Sequence, residues 1–391
     1  MNFLRRGKAL PPEQKSRGQG PAIAYRSSQN VSWTQRESTT LTRAGFVSNP
    51  VGFRAVKLIS EAAAAVPLVL QDGAQRYAQH PILSALDQPN LFQARGAFLE
   101  ALFGQLLLTG DAFIKVSLLG GGGLELHVLR SDRVEVISGN DGWPVGYTYN
   151  VDGKKTRFDV SEDFCPICHI RAFHPQDDHR GLSPLSAASM AVDVHNSASR
   201  WSKGLLDNAA RPSGAFVYSG AEGFDTLSAE QLDRLVVEIE NHHQGARNAG
   251  RPMLLEGGLD WRPMGFSPSD MEFQKTKEAA AREIATAFGV PPMLLGIPGD
   301  ATYANYAEAN RAFYRLTVLP LVGRVGAALS QWLRGEDEPD LWLKADLDQV
   351  SALASERDQQ WARVAKAEFL TRAEKRSLLG LPAEEIEAGH D

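Results

Sequence analysis

The sequence predicts an α+β protein in which a small α/β module sits between two long helices. Three observations lead there. Strand signals crowd residues 68–173, where short apolar or alternating runs are broken by Gly, Asp and Asn. Ser183-Pro184 places a capping side chain directly before a proline at the first helical position, and the helix it opens reads on to about residue 208. A second long helix opens at Ser269, with Glu272 three positions on, and stops at Gly289 with Val290 and Pro291-Pro292 behind it.

Taken in order, residues 1–30 read as a flexible basic arm, with Arg5, Arg6, Lys8, Lys15, Arg17 and Arg26 against Glu13 among many Gly, Pro, Ser and Gln. From Asn49 the pattern turns helical: Val56, Ile59, Ser60, Ala63 and Ala64 recur at helix spacing, and the run stops before Pro67. Pro67-Leu68-Val69-Leu70 reads as a strand, and a helix over 94–109 ends at Gly110. Runs 113–118 and 124–129 flank Gly120-Gly121-Gly122-Gly123 as a hairpin, and strands follow at 134–137, 145–150 and 156–160. The helix from Ser183 spans some 25 residues, or about 37 Å at 1.5 Å per residue. Its Ala187, Ala188, Ala191 and Ala198 suit close packing. In the insert, 215–218, 253–255 and 259–263 read as strands, and 227–243 as a helix with a capping box at Ser228 and Gln231. Residues 296–306 form a loop, 308–332 a long helix interrupted at Pro320, and 346–391 a charged helical tail.

Composition narrows the function classes. The 391 residues carry 41 Lys+Arg against 47 Asp+Glu, a net charge of −6, which argues against a protein that coats nucleic acid by bulk charge. The length suggests two or three domains, and 43% hydrophobic residues can fill their cores. Two cysteines exclude a disulfide scaffold and fit a reducing compartment. No apolar stretch of signal length follows the N-terminal basic residues. The apolar windows 62–70 and 101–108 are short, and 316–333 contains Pro320 and Arg324, so the chain reads as soluble and intracellular with no membrane span.

Motifs for chemistry are sparse. Cys165-Pro166-Ile167-Cys168-His169 matches the C-x-x-C-H haem-attachment pattern, with His174 and His179 near enough in sequence to suggest zinc. A cytosolic metal or haem redox protein built on Cys165, Cys168 and His169 is therefore the rival reading. Against it stand the missing second C-x-x-C pair and the strand-like His169-Ile170-Arg171. Gly153-Lys154-Lys155 lacks the earlier glycine of a Walker A loop, and no G-x-S-x-G or H-E-x-x-H string occurs. Asp177-Asp178-His179 reads as a solvated loop. On the second long helix Met271, Lys275, Glu278 and Arg282 share a face at spacings of four, three and four residues.

An ordered set of strings resembles the tailed-phage portal protein family, in the short form found in long-tailed phages and gene transfer agents. They are Asn49-Pro50-Val51-Gly52-Phe53-Arg54, His80-Pro81-Ile82-Leu83 with Gln88-Pro89-Asn90, and Leu108-Thr109-Gly110-Asp111-Ala112-Phe113. Next come His169-Ile170-Arg171, Arg180-Gly181-Leu182-Ser183-Pro184-Leu185, Ala287-Phe288-Gly289-Val290-Pro291-Pro292, Tyr303-Ala304-Asn305-Tyr306, and Leu370-Thr371-Arg372-Ala373-Glu374 leading to Gly380-Leu381-Pro382. The resemblance implies a portal fold built as a ring: wing over 31–182, stem helices over 183–212 and 267–290, and an α/β clip over 213–266. The tunnel loop and long wing helix then fall in 291–345 and a helical crown in 346–391.

The implied role is mechanical and not enzymatic, with no cofactor and no bound metal. A homododecamer at one capsid vertex passes double-stranded DNA for packaging and ejection. It contacts the major capsid protein, docks the terminase large subunit and then a head–tail adaptor, and resides in the virion after assembly in the bacterial cytoplasm. The resemblance puts Gly299, Asp300, Ala301, Thr302 and Tyr303 nearest the channel axis. It puts Lys275, Glu278 and Arg282 on the stem face, and Glu238, Asn241, His242 and Arg247 on the clip surface toward terminase and adaptor. Twelve copies at −6 each give a ring of about −72, which discourages DNA from adhering.

Overall fold

The computed structural model describes residues 34–381, apart from 36, 74, 119–122, 161–164, 208–213, all but three isolated positions of 219–258, 264–267, 300–302 and 335–337. Helix α1 (Ser38–Thr42) runs into a π-turn at Arg43–Val47, and α2 (Pro50–Ala65) follows. The start of α2 is dictated locally: Asn49 Oδ1 accepts from Val51 N at 3.0 Å and Gly52 N at 2.9 Å, and Pro50 takes the position that needs no N–H. Strands β1 (Leu68–Gln71) and β2 (Arg76–Tyr77) lead to α3 (Pro81–Asp87) and α4 (Arg95–Thr109). Helices α2 and α4 pack on each other through Val56, Ile59, Ala63, Leu99, Leu102 and Phe103, all buried.

Two antiparallel sheets follow. Strands β3 (Asp111–Leu118), β4 (Leu124–Leu129) and β8 (Ile167–Arg171) form one, in the order β4-β3-β8. Strands β5 (Val134–Ser138), β6 (Pro144–Val151) and β7 (Lys154–Asp159) form the other. The period-two alternation of β3 divides its side chains between two cores. Ala112, Ile114 and Val116 join the main core with α2 and α4, whereas Phe113 packs with Leu129, Val134, Tyr147 and Ile167. The hairpin and the strands at 134–138, 144–151 and 154–159 stand where the sequence predicts them, within two residues at each end.

The helix predicted from Ser183 arrives in two pieces, α5 (Pro184–Ala187) and α6 (Ser189–Asp207), with Ser183 Oγ capping the first by accepting from Ser186 N at 2.9 Å. Strands β9 (Gly214–Tyr218) and β10 (Leu259–Pro263) pair antiparallel. The predicted helix over 227–243 and strand over 253–255 lie outside the described residues, apart from isolated helical positions at Glu230, Asp233 and Val237. Helix α7 (Pro268–Ala287) starts one residue before the predicted cap, so Ser269 lies inside its first turn. It stops as expected at Gly289, whose positive φ of 67° suits a residue without Cβ.

The long C-terminal helix departs from expectation in a physically clear way. Helix α8 (Tyr303–Phe313) passes through a π-turn at Tyr314–Val318 into α9 (Leu319–Leu333), so the irregularity precedes Pro320 rather than falling at it. Proline has no N–H to give the preceding turn, and widening that turn lets the helix continue. By length and composition Asn305–Leu333 could cross a membrane. Its buried stripe of Val318, Val322, Val325 and Leu329 is instead spent in the main core. A strand not foreseen, β11 (Trp342–Ala345), follows and pairs antiparallel with β1. The tail comprises α10 (Ala354–Lys366) and α11 (Arg372–Leu378), the latter opened by a full capping box between Thr371 and Glu374.

Candidate channel site and the latches that hold it

Helices α6 and α7 run antiparallel. Trp201 stacks on Phe273 with centroids 4.3 Å apart, and one turn or two further along, Lys277 raises the potential around His195. The buried side of α7 is Ala280, Ala281, Ile284, Ala285 and Phe288. Its opposite side exposes Lys275, Glu278 and Arg282, so the face read from the sequence is real and open to solvent in the single chain. Glu278 accepts from Gln274 Nε2 at 3.4 Å. Arg282 reaches furthest: its Nη2 donates to the carbonyl oxygen of Pro298 and lies 3.8 Å from the point where a Cβ on Gly299 would stand. The helix face and the start of the 299–303 loop are therefore one surface. Gly299 is exposed and Tyr303 begins α8, whereas Asp300, Ala301 and Thr302 lie outside the described residues. So do Glu238, Asn241, His242 and Arg247.

One buried polar latch fixes α6 to the rest of the molecule, and a second lies just before α5. In the first, the Nδ2 of the capping residue Asn49 donates to Asn196 Oδ1 at 2.9 Å and lies 3.2 Å from His195 Nδ1, while Asn196 Nδ2 donates to Ala44 O at 2.9 Å. A donor facing Nδ1 makes that nitrogen the acceptor and puts the proton on Nε2. Burial first, and Lys277 second, push the imidazole below its ordinary pKa, which keeps it neutral. A cleft of about 530 Å3 opens beside His195, between α6, α7 and Ile297-Pro298.

The second latch centres on Asp111. Its Oδ1 accepts from His169 Nε2 at 2.8 Å and from Gly181 N at 2.9 Å, and Arg180 Nη1 stands 3.8 Å from Oδ2. His169 stacks on Phe113 at 4.2 Å with the Tyr147 ring edge-on, and Arg180 also donates to the Val134 and Ser131 carbonyls. The backbones meet tightly: Ala172 N donates to Gly110 O at 2.8 Å, and a Cβ on Gly181 would collide with that same oxygen. Three strings far apart in sequence, 108–113, 169–171 and 180–185, thus converge on one carboxylate directly before α5. Sequence reasoning found these strings but not their meeting point. The only local signal for the first latch was an Asn before Pro at a helix start, and none marked His195.

The redox reading finds no geometry to work with. Cys168 packs in the main core while Cys165 packs against the second cluster, so the two thiols lie on opposite sides of the β8 segment. Burial pushes the Cys168 thiol up to about 12, and the Cys165 thiol also upward, away from the thiolate that metal binding needs. His169 Nε2 is engaged by Asp111. Among the described residues, no three His, Cys, Asp or Glu side chains group as metal ligands.

Residues 50–380 match the family model described as phage portal protein. The chain belongs to the phage portal protein family. A solved structure of the neck of an empty GTA (gene transfer agent) particle, computed with C6 symmetry, is 64% identical, with a TM-score of 0.76 over 90% of this chain and 96% of that one. The neck of the native particle computed with C12 symmetry is 63% identical, with a TM-score of 0.74 over 90% and 95% of the two chains. A probable portal protein of Streptomyces phage phiC31 is 27% identical over 79% of this chain and 69% of its own length. The portal fold, mixed α and β, is therefore the fold of this chain.

Proposed function

We propose that the chain is the portal subunit of a phage-like particle of the gene transfer agent type, and that twelve copies close a ring around a channel for double-stranded DNA. In this reading α6 and α7 are the stem, 213–266 the clip, 299–303 the tunnel loop and 346–391 the crown. The clip surface around Glu238, Asn241, His242 and Arg247 docks the terminase large subunit and then the head–tail adaptor, and the outer body meets the major capsid protein at the portal vertex. The role is structural, and the energy for DNA movement comes from the docked motor.

The observation that carries the reading is the match to the GTA neck chain over nine-tenths of the sequence. The Arg282 tie supports it, because it couples the exposed stem face to the base of the loop. A translocation channel needs contacts that hold and release DNA. Mixed charge on α7, where Lys275 and Arg282 alternate with Glu278 and Glu283, limits the number of phosphates held at once. The test is a charge reversal in the loop, Asp300→Lys, against Glu13→Lys in the N-terminal arm. The loop variant is expected to cut nuclease-protected DNA per particle at least tenfold and the arm variant to leave it near wild type. Equal protection by both removes the loop assignment.

A further inference from the structure

We infer that neighbouring copies of this chain lock together head to tail through a two-residue apolar knob at Leu91-Phe92 and a cleft at the other end of α4, an inference that rests on the ring reading above. The knob is built rather than incidental. Leu91 is 82% and Phe92 90% exposed, the most solvent-facing pair of adjacent large apolar side chains among the described residues. Yet the turn beneath them is held rigidly from inside. Asn90, only 5% exposed, donates from Nδ2 to Gln93 Oε1 at 3.1 Å and to Leu126 O at 2.9 Å, and its Oδ1 accepts from Phe92 N at 3.0 Å. Leu126 N closes the anchorage by donating to Pro89 O at 2.7 Å. A buried amide with every bond spent on fixing a turn pre-orders the two side chains that turn presents, which removes the ordering cost of a contact before it forms.

The complementary cleft lies at the far end of the same helix. It has a volume of about 260 Å3 and is walled by Leu106, Leu107, Leu182, Pro184, Ala187 and Leu321. A cavity of about 150 Å3 holds a benzene ring, so this one takes a phenyl group with part of a leucine. Phe173, next in sequence to the lining residue Ala172, and Met190, three positions after Ala187, are also exposed large apolar side chains. Charge agrees: Asp87, its side chain 66% exposed and 3.4 Å from Arg95 Nη1 of its own chain, flanks the knob, and exposed Arg324 stands at the cleft.

The occupant follows from distance and symmetry. The 15 residues of α4 separate knob from cleft by about 22 Å of rigid helix, so one chain cannot fill its own cleft. A cyclic ring of three or more subunits, by contrast, requires each subunit to present two different patches, one to each neighbour. A knob at one end of α4 and a cleft at the other meet that requirement.

The test uses the full-length chain in purified rings, carrying Phe92→Cys with Ala187→Cys, treated with a copper–phenanthroline oxidant. A ladder of disulfide-linked multimers on a non-reducing denaturing gel is expected for the pair, and monomer for either single variant. Rings seen by negative stain that stay monomeric on the gel overturn the contact. So does a Phe92→Cys adduct with the capsid protein, which makes the knob a capsid contact instead. As a second arm, Phe92→Ser is expected to leave the thermal midpoint of the monomer unchanged while lowering ring yield at least tenfold, and an unchanged yield overturns the inference. If wild type itself forms no rings in assembling particles, the ring reading falls first, and the gel result then has no bearing on it.

Discussion

The latch at Asp111 and the surface at Arg282 are built on opposite plans, although both involve a charged side chain holding a loop to a regular element. At Asp111 the carboxylate is 3% exposed and meets an imidazole, a backbone N–H and a guanidinium, with two glycine backbones pressed together beside it. At Arg282 an exposed guanidinium holds one carbonyl, that of Pro298. Removing a partner from the first strands a buried charge, whereas removing the second returns a carbonyl to water. The lesson is that the strings around Asp111, 108–113, 169–171 and 180–185, serve as scaffolding. The surface proposed for DNA carries exposed residues of mixed charge, Lys275, Glu278 and Arg282, whose individual contributions to stability are low.

Mutations can break or sharpen that contrast. The largest effect is expected from Asp111→Ala, which leaves His169 and Gly181 N unpaired in the interior and should cost about 3–5 kcal/mol in denaturant unfolding. A loss below about 1 kcal/mol would erase the distinction between the two sites. Next, Gly181→Ala should cost about 1–3 kcal/mol by the same measurement, because its methyl group must displace the Gly110 carbonyl. A neutral result there means the two backbones can separate freely.

A smaller effect follows from His195. Its folded pKa lies below the ordinary 6.5, so between those values the unfolded chain binds the extra proton. Its contribution is complete above about pH 6.5 and is lost as the pH falls through the folded value. His195→Gln should therefore flatten the acid side of the stability curve below about pH 6.5, and an unchanged slope removes His195 from the titration. Smallest of all, Arg282→Ala should leave unfolding free energy within about 0.5 kcal/mol of wild type. It should still lower nuclease-protected DNA per particle. A stability loss matching that of Asp111→Ala would show the loop tie to be part of the scaffold.

Much of this was legible in the chain because the signals are local. Asn49-Pro50 and Ser183-Pro184 start helices by capping and by the missing proline N–H, and Gly110 and Gly289 end them at positive φ, as their sequence context required. The alternation of β3 announced a strand with two different faces. What the tertiary structure decided are the meetings between distant residues. Strand β11 joins β1 across more than 270 positions, its four residues being too short to declare themselves without that edge. Asp111 finds Gly181 70 positions away and Asn49 finds Asn196 147 positions away, pairings that only burial makes worth forming. The sequence by itself determined most helix and strand starts and stops, those such as Asn49-Pro50, Ser183-Pro184 and Gly289 where caps, prolines and periodicity act within a few residues. Which polar groups are buried together, and hence which residues hold α6 in place, was settled only when the folded core excluded water from them.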